Sequence, residues 1–116
     1  MPSDPDCLFC KIASGDIPAD VVARGDGVLA FRDVNPVAPT HVLVIPAEHV
    51  GSLAALEAGH AQLLTELIRV ANQVAADDKL EDGYRVVTNI GPAAGQSVPH
   101  LHLHVLGGRD MTWPPG

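Results

Sequence analysis

The chain is short of several things, and each shortage closes off a class of function. It has 7 basic residues against 14 acidic ones, a formal net charge of −7. No cluster of Lys and Arg stands out, so nothing is there to grip a nucleic-acid backbone. A single nucleotide, held by a few placed groups, stays possible. No apolar run approaches the roughly 18 to 20 residues a membrane helix needs, and the opening MPSDPDCLFC lacks the basic-then-apolar order of a signal peptide. A cytoplasmic location is therefore expected. The only two cysteines, Cys7 and Cys10, would stay reduced there. Their C-x-x-C spacing points to metal or redox chemistry or to two small buried hydrophobes, rather than to a structural disulfide. Internal repeats and low-complexity tracts are missing too, so the 116 residues read as a single domain with one core and one main site.

What is present alternates between two periods. VVARGDGVLAFRDV sets apolar stretches on either side of Asp26-Gly27, a strong hairpin signal, and predicts strands near Val21 to Arg24 and Val28 to Arg32. NPVAPT interrupts with Pro36 and Pro39, and HVLVIP resumes as a third, central strand ending at Pro46. From about Gly59 to Asp78 the period lengthens: Leu63, Leu64, Leu67, Ile68, Ala71, Val74 and Ala75 recur at helical steps and define one apolar face. YRVVTNI and HLHLHVLG read as a fourth and fifth strand, joined by the Gly-rich loop GPAAGQSVP. Residues 1–6 read as a flexible lead-in, and residues 108–116 as a tail carrying the one Trp, Trp113. The sum is an α+β fold, a five-stranded, mainly antiparallel sheet with one principal helix on one face.

The fifth segment carries the chemistry. His100, His102 and His104 alternate with Leu101, Leu103 and Val105, so on a strand the histidines share one face and the aliphatic residues enter the core. Three adjacent imidazoles need a ligand, because each is poor core material without a partner. Zinc would take their neutral nitrogens. A phosphate would take their hydrogen bonds, with one imidazole able to attack phosphorus. The preceding loop favours phosphate: Gly91 and Gly95 let backbone N–H groups come close, and Gln96 and Ser97 add side-chain donors.

At this point PHLHLHVLGG resembles the signature of the histidine-triad (HIT) superfamily, His-φ-His-φ-His-φ-φ with φ apolar. The likeness continues through DIPADVV, LAFRDVNPVAPTHVLVIPAEHV, GYRVVTNIGPAAGQSVPHLHLHVLGG and WPPG, covers nearly the whole chain, and is to the histidine-triad nucleotide-binding branch. The resemblance implies a HIT-like fold with an added short N-terminal helix. It implies hydrolysis of purine nucleoside 5′-phosphoramidates, or of aminoacyl-adenylate-like substrates, to AMP through a nucleotidyl-histidine. His102 would be the nucleophile, His104 would steady the phosphate, Gln96 and Ser97 would sit near the phosphate and leaving group, and Asn89 would help place the phosphate beside Gly95. Asp33 would accept from the ribose hydroxyls, and Phe9, Ile12, Phe31 and Val34 would form the base slot.

Cys7, Cys10, His49 and His100 match a structural-zinc set found in some members and in the related uridylyltransferases, implying one structural Zn²⁺ per chain. Many members of the nucleotide-binding branch lack those cysteines, so this is a departure from the branch pattern. A homodimer with joined sheets is also implied. His41 and His60 match no role and are expected to be ordinary surface or packing residues. Hydrolysis of dinucleoside polyphosphates, a nucleotide-binding interaction module, and a zinc-dependent sensor remain alternatives.

Overall fold

Turn chemistry and strand parity account for most of the architecture. The protein is described as a computed structural model over residues 3–116, so residues 1–2 of the expected lead-in lie outside the described residues. In chain order the elements are α1 (Leu8–Ser14), β1 (Val21–Gly25), β2 (Val28–Arg32), β3 (Thr40–Pro46), α2 (Ala61–Asp77), β4 (Tyr84–Val87) and β5 (Leu103–Gly107). Gly27 takes a left-handed φ of 69°, which lets a two-residue turn join β1 to β2 with Gly25 opposite Val28. The turn is tied to α2 because the Asp26 N–H donates to Glu66 Oε2 at 2.6 Å.

The five strands run in the order β1-β2-β3-β5-β4, and all four neighbouring pairs are antiparallel. The last strand in sequence therefore inserts between β3 and β4. Helix α2 covers one face with Leu67, Val70, Ala71 and Val74, which meet Val42, Val44, Leu101, Leu103 and Val105. Full burial of a residue such as Leu67 contributes about 2 kcal/mol. Leu64 and Ile68 flank this contact and stay partly exposed, so the helix buries a narrower stripe than its full apolar pattern. Helix α1 covers part of the other face, where Phe9 packs with Leu29, Phe31, Leu43 and Ile45. Strand β3, covered from both sides, is buried along its whole length.

Two strands are shorter than their sequence patterns. Strand β4 stops at Val87, where the Thr88 hydroxyl turns to donate to the His102 carbonyl at 2.8 Å. Strand β5 begins only at Leu103: Pro99 interrupts the approach, the His100 N–H closes a tight turn onto the Val98 carbonyl, and the Leu101 N–H donates to Val50 O at 2.6 Å. The expected alternation survives this correction, since Leu101, Leu103 and Val105 all enter the α2 side of the core. Trp113 is 83% exposed, while the tail is held by Arg85, which donates to the Thr112 carbonyl. Among the described residues no helix is long and apolar enough to cross a membrane.

Candidate functional site

The sheet face left open by α1 forms a cavity of about 620 Å³, within the usual size range of small-molecule sites. Of the sequence-predicted residues, Phe9, Ile12, Phe31, Asp33, Val34, Ser97, His102 and His104 line it. Asn89, Gly95 and Gln96 stand in the adjoining loop. Gly95 has a φ of 92°, and a Cβ there would come within 3.2 Å of Asn89 Nδ2. The Gln96 amide braces this loop: Oε1 accepts from the Gly91 N–H at 2.9 Å, and Nε2 donates to the Gly51 and Val98 carbonyls at 2.7 and 3.0 Å. The chain's few cations contribute little to the wall. Arg32 lies there, but its guanidinium is paired through two nitrogens with Asp78 at 2.8 and 3.0 Å.

Each histidine of the triad has its proton placed by a different neighbour, as the hydrogen-bond partners assign it. His100, fully buried, has Nε2 at 2.8 Å from the Pro46 carbonyl, which can only accept; the proton is therefore on Nε2 and the Nδ1 lone pair is free. His102 is the reverse, because its Nδ1 lies 2.7 Å from the His100 carbonyl and must donate, leaving the Nε2 lone pair free at the cavity. His104 is set at one remove, through His41. The Val37 N–H donates to His41 Nδ1 at 3.1 Å, so the neutral His41 ring carries its proton on Nε2, 2.9 Å from His104 Nδ1. His104 Nδ1 accepts, and its Nε2–H is the edge left for a ligand.

Burial favours the neutral form of His41 and His104. Burial, helped by the neighbouring His102 and His41 and opposed by Asp33, pushes His104 down to about 4. Burial likewise lowers His41, against the pull of Asp33. Asp33 has Oδ2 at 3.4 Å from His41 Nε2, while Oδ1 accepts from the Asn35 N–H at 2.8 Å.

His41 joins the site although sequence reasoning gave it no role there. It was expected at the surface or in plain packing, yet it is 6% exposed and bonded to the triad. Period-two parity places it on the same side of β3 as Leu43 and Ile45, the face that α1 and the histidines share. His60 is the ordinary residue it was expected to be: it completes a capping box with Glu57 before α2 and lies 3.7 Å from Glu48.

A second cluster forms where α1 meets the first histidine. Cys7 is the N-cap of α1 and accepts from the Cys10 N–H, which brings both sulfurs to one end of the helix. Cys7 Sγ is 3.3 Å from His100 Nδ1, and Cys10 Sγ is 3.3 Å from His49 Nδ1 and 3.5 Å from His100 Nδ1. All four ligand atoms lie within 4.8 Å of one another. Sulfur and nitrogen bound tetrahedrally to zinc stand about 3.5 Å apart, so spacing and donor type both fit such an ion. The His100 Nε2–H bond to Pro46 supplies the outer hydrogen bond that a ligating imidazole needs.

Fold and site together define an α+β protein with a hydrogen-bonded histidine array over a cavity of small-molecule size and a Cys₂His₂ cluster beside it. The chain belongs to the histidine-triad family: the HIT domain family model matches residues 14–111. It is similar to the 14 kDa zinc-binding protein of Zea mays, 52% identical over 115 residues that cover 97% of this chain and 90% of that protein. It is also similar to adenylylsulfatase HINT1 of Arabidopsis thaliana, 46% identical over 117 residues covering 99% of this chain and 80% of that one. Among solved structures, a HIT family hydrolase from Legionella pneumophila Philadelphia 1 superposes with a TM-score of 0.93 at 49% identity, covering 96% of this chain and 100% of that chain.

Proposed function

We propose that the protein is a nucleotide hydrolase that cleaves purine nucleoside 5′-phosphoramidates, or mixed anhydrides of AMP such as aminoacyl adenylates, to AMP. The observation that carries the reading is His102, whose Nδ1–H is held by the His100 carbonyl while Nε2 faces the cavity. A neutral imidazole in one fixed tautomer is ready to attack phosphorus. Its Nε2 forms a bond to the α-phosphorus as the bond to the leaving amine or carboxylate breaks, and an amine leaving group takes up its proton from solvent water. Water then cleaves the nucleotidyl-His102 bond and releases AMP. His104 Nε2–H and the Ser97 hydroxyl donate to the phosphate oxygens as charge builds, while the N–H groups of Ala94, Gly95 and Gln96 close the loop on itself. Gln96 holds that loop in shape, and Asn89, whose amide lies beside Gly95, helps to place the phosphate. Asp33 accepts from the ribose, and Phe9, Ile12, Phe31 and Val34 flank the base.

Charge supports this substrate class over dinucleoside polyphosphates. In a chain of net charge −7, Arg32, the one cation among the described residues of the cavity wall, is paired with Asp78. Neutral donors suit a phosphate carrying a single charge better than a long polyanion. The name of the Arabidopsis relative, adenylylsulfatase, is that of an enzyme for an adenylyl conjugate. The same acidity leaves nucleic acid out as a partner.

The Cys7, Cys10, His49 and His100 cluster is assigned one structural Zn²⁺ per chain. The fit of its donors and the name of the maize relative support this, and zinc bound there ties α1 to the histidine segment. A homodimer is proposed through edge strand β4 and the flank of α2, where Leu64, Ile68, Tyr84, Val86 and Ile90 are exposed. The proposed location is the cytoplasm, which suits reduced thiols.

Rapid mixing with an AMP phosphoramidate followed by intact mass measurement tests the reading. An adenylate adduct that maps to His102 and disappears with turnover is expected. Steady hydrolysis with no adduct on His102, or preferential turnover of a diadenosine polyphosphate, would overturn it.

A further inference from the structure

His100 belongs to both halves of the site. Its Nδ1 faces the sulfurs of Cys7 and Cys10 at 3.3 and 3.5 Å, while its main-chain carbonyl accepts the His102 Nδ1–H at 2.7 Å. A second support of the His102 ring comes from the same cluster. Phe9 lies between the two cysteines on the turn of α1 that Cys7 caps, and its ring stands edge-on to His102 with centroids 5.1 Å apart at 88°. It also meets the His100 ring edge-on at 5.9 Å. The hydrogen bond that orients the nucleophile and the aromatic edge that flanks it thus both depend on where the cluster holds α1 and His100.

Phe9 is also packed against Leu29, Phe31, Leu43 and Ile45, and His100 is also bonded to Val98 and Pro46, but the cluster is what joins the two supports to each other. Helix α1 has 7 residues, too few to persist by its own helical propensity, and thiol–imidazole contacts are weak hydrogen bonds. We propose that the Cys7–Cys10–His49–His100 cluster, when it holds zinc, positions His102 for attack as well as securing the fold, acting through the His100 carbonyl and the Phe9 ring. His100 and Phe9 are then positioning residues for the nucleophile. The inference rests on the reading of His102 as nucleophile and of zinc as the ion.

The test compares zinc-loaded, chelator-treated and zinc-reconstituted full-length protein, reading the His102 ring nitrogens by ¹⁵N NMR beside kcat and KM for an AMP phosphoramidate. Loaded protein is expected to show one tautomer with a protonated Nδ1. Zinc removal should mix the tautomers and lower kcat about tenfold or more, and both effects should reverse on reconstitution. Folded, zinc-free protein with an unchanged His102 signal and unchanged kcat would overturn the proposal.

Should zinc-free protein unfold, zinc-loaded Phe9→Leu decides through the second support. A disturbed His102 signal and a fall in kcat at one zinc per chain are expected, and an unaltered signal with unaltered kcat overturns the proposal. The NMR readout needs no substrate. Absence of turnover on every AMP conjugate would therefore count against the hydrolase reading, while the tautomer still decides this one.

Discussion

The two ends of the histidine segment carry two clusters that look alike by composition and behave differently. Cys7, Cys10, His49 and His100 bring their ligand atoms within 4.8 Å of one another, and so do Asp33, His41 and His104. What separates them is the far nitrogen of each imidazole. In the first cluster His100 gives its Nε2–H to the Pro46 carbonyl and turns a lone pair toward two sulfurs. In the second, the Val37 N–H already occupies His41 Nδ1. A metal on His41 Nε2 would force the ring proton onto Nδ1, where two donors would face each other. The first cluster is therefore able to hold an ion, and the second to hold a proton. A count of histidines does not distinguish the two, whereas the main-chain group behind each ring does.

The sharpest break of this contrast is to remove a sulfur. Cys10→Ser should leave the protein without bound metal and lower Tm by about 12 °C, corresponding to about 3 kcal/mol for a chain of this length, as read by elemental analysis and calorimetry. If the variant retained one zinc per chain, the first cluster would not be the metal site.

A smaller effect is expected from the second cluster. His41→Ala frees the His104 tautomer and should lower kcat/KM roughly tenfold to hundredfold while leaving zinc content at one per chain. Zinc loss from this variant would mean that the two clusters are not separate.

The smallest effect separates them by pH. His104 sits at about 4 in the fold against an ordinary 6.5, so the unfolded chain binds more protons in that window. Its contribution to stability is present above pH 6.5 and is lost as pH falls toward 4. His104→Gln should lose a few degrees less of Tm across that window than the parent. Equal losses in the two proteins would remove His104 from the account.

Much of the fold was legible because local pattern and tertiary role agree. Asp26-Gly27 marked the hairpin, HVLVIP the central strand, and the helical period α2. The errors fall where the two diverge. HLHLHVLG alternates like a strand throughout, yet pairing begins only at Leu103, because the backbone before it is engaged with Val98 and Val50. His41 carried a signal in its parity with Leu43 and Ile45, but its meaning depends on the Val37 N–H and on His104, 63 positions away. The Cys₂His₂ set was found through resemblance, since no local rule joins Cys7 to His100 across 93 positions. Gln96 was expected beside the phosphate, whereas its amide is engaged in bracing the loop.

The strand order β1-β2-β3-β5-β4 also bears on how the molecule comes into being on the ribosome. During vectorial synthesis β3 emerges long before the strand that will cover its flank, and until β5 arrives its row of N–H and C=O groups is an open template for other chains. Insertion of β5 closes that edge and delivers His104 to His41 in one event. Aggregation hazard and enzymatic silence in the nascent protein therefore end together, when the final strand slots into the middle of the sheet.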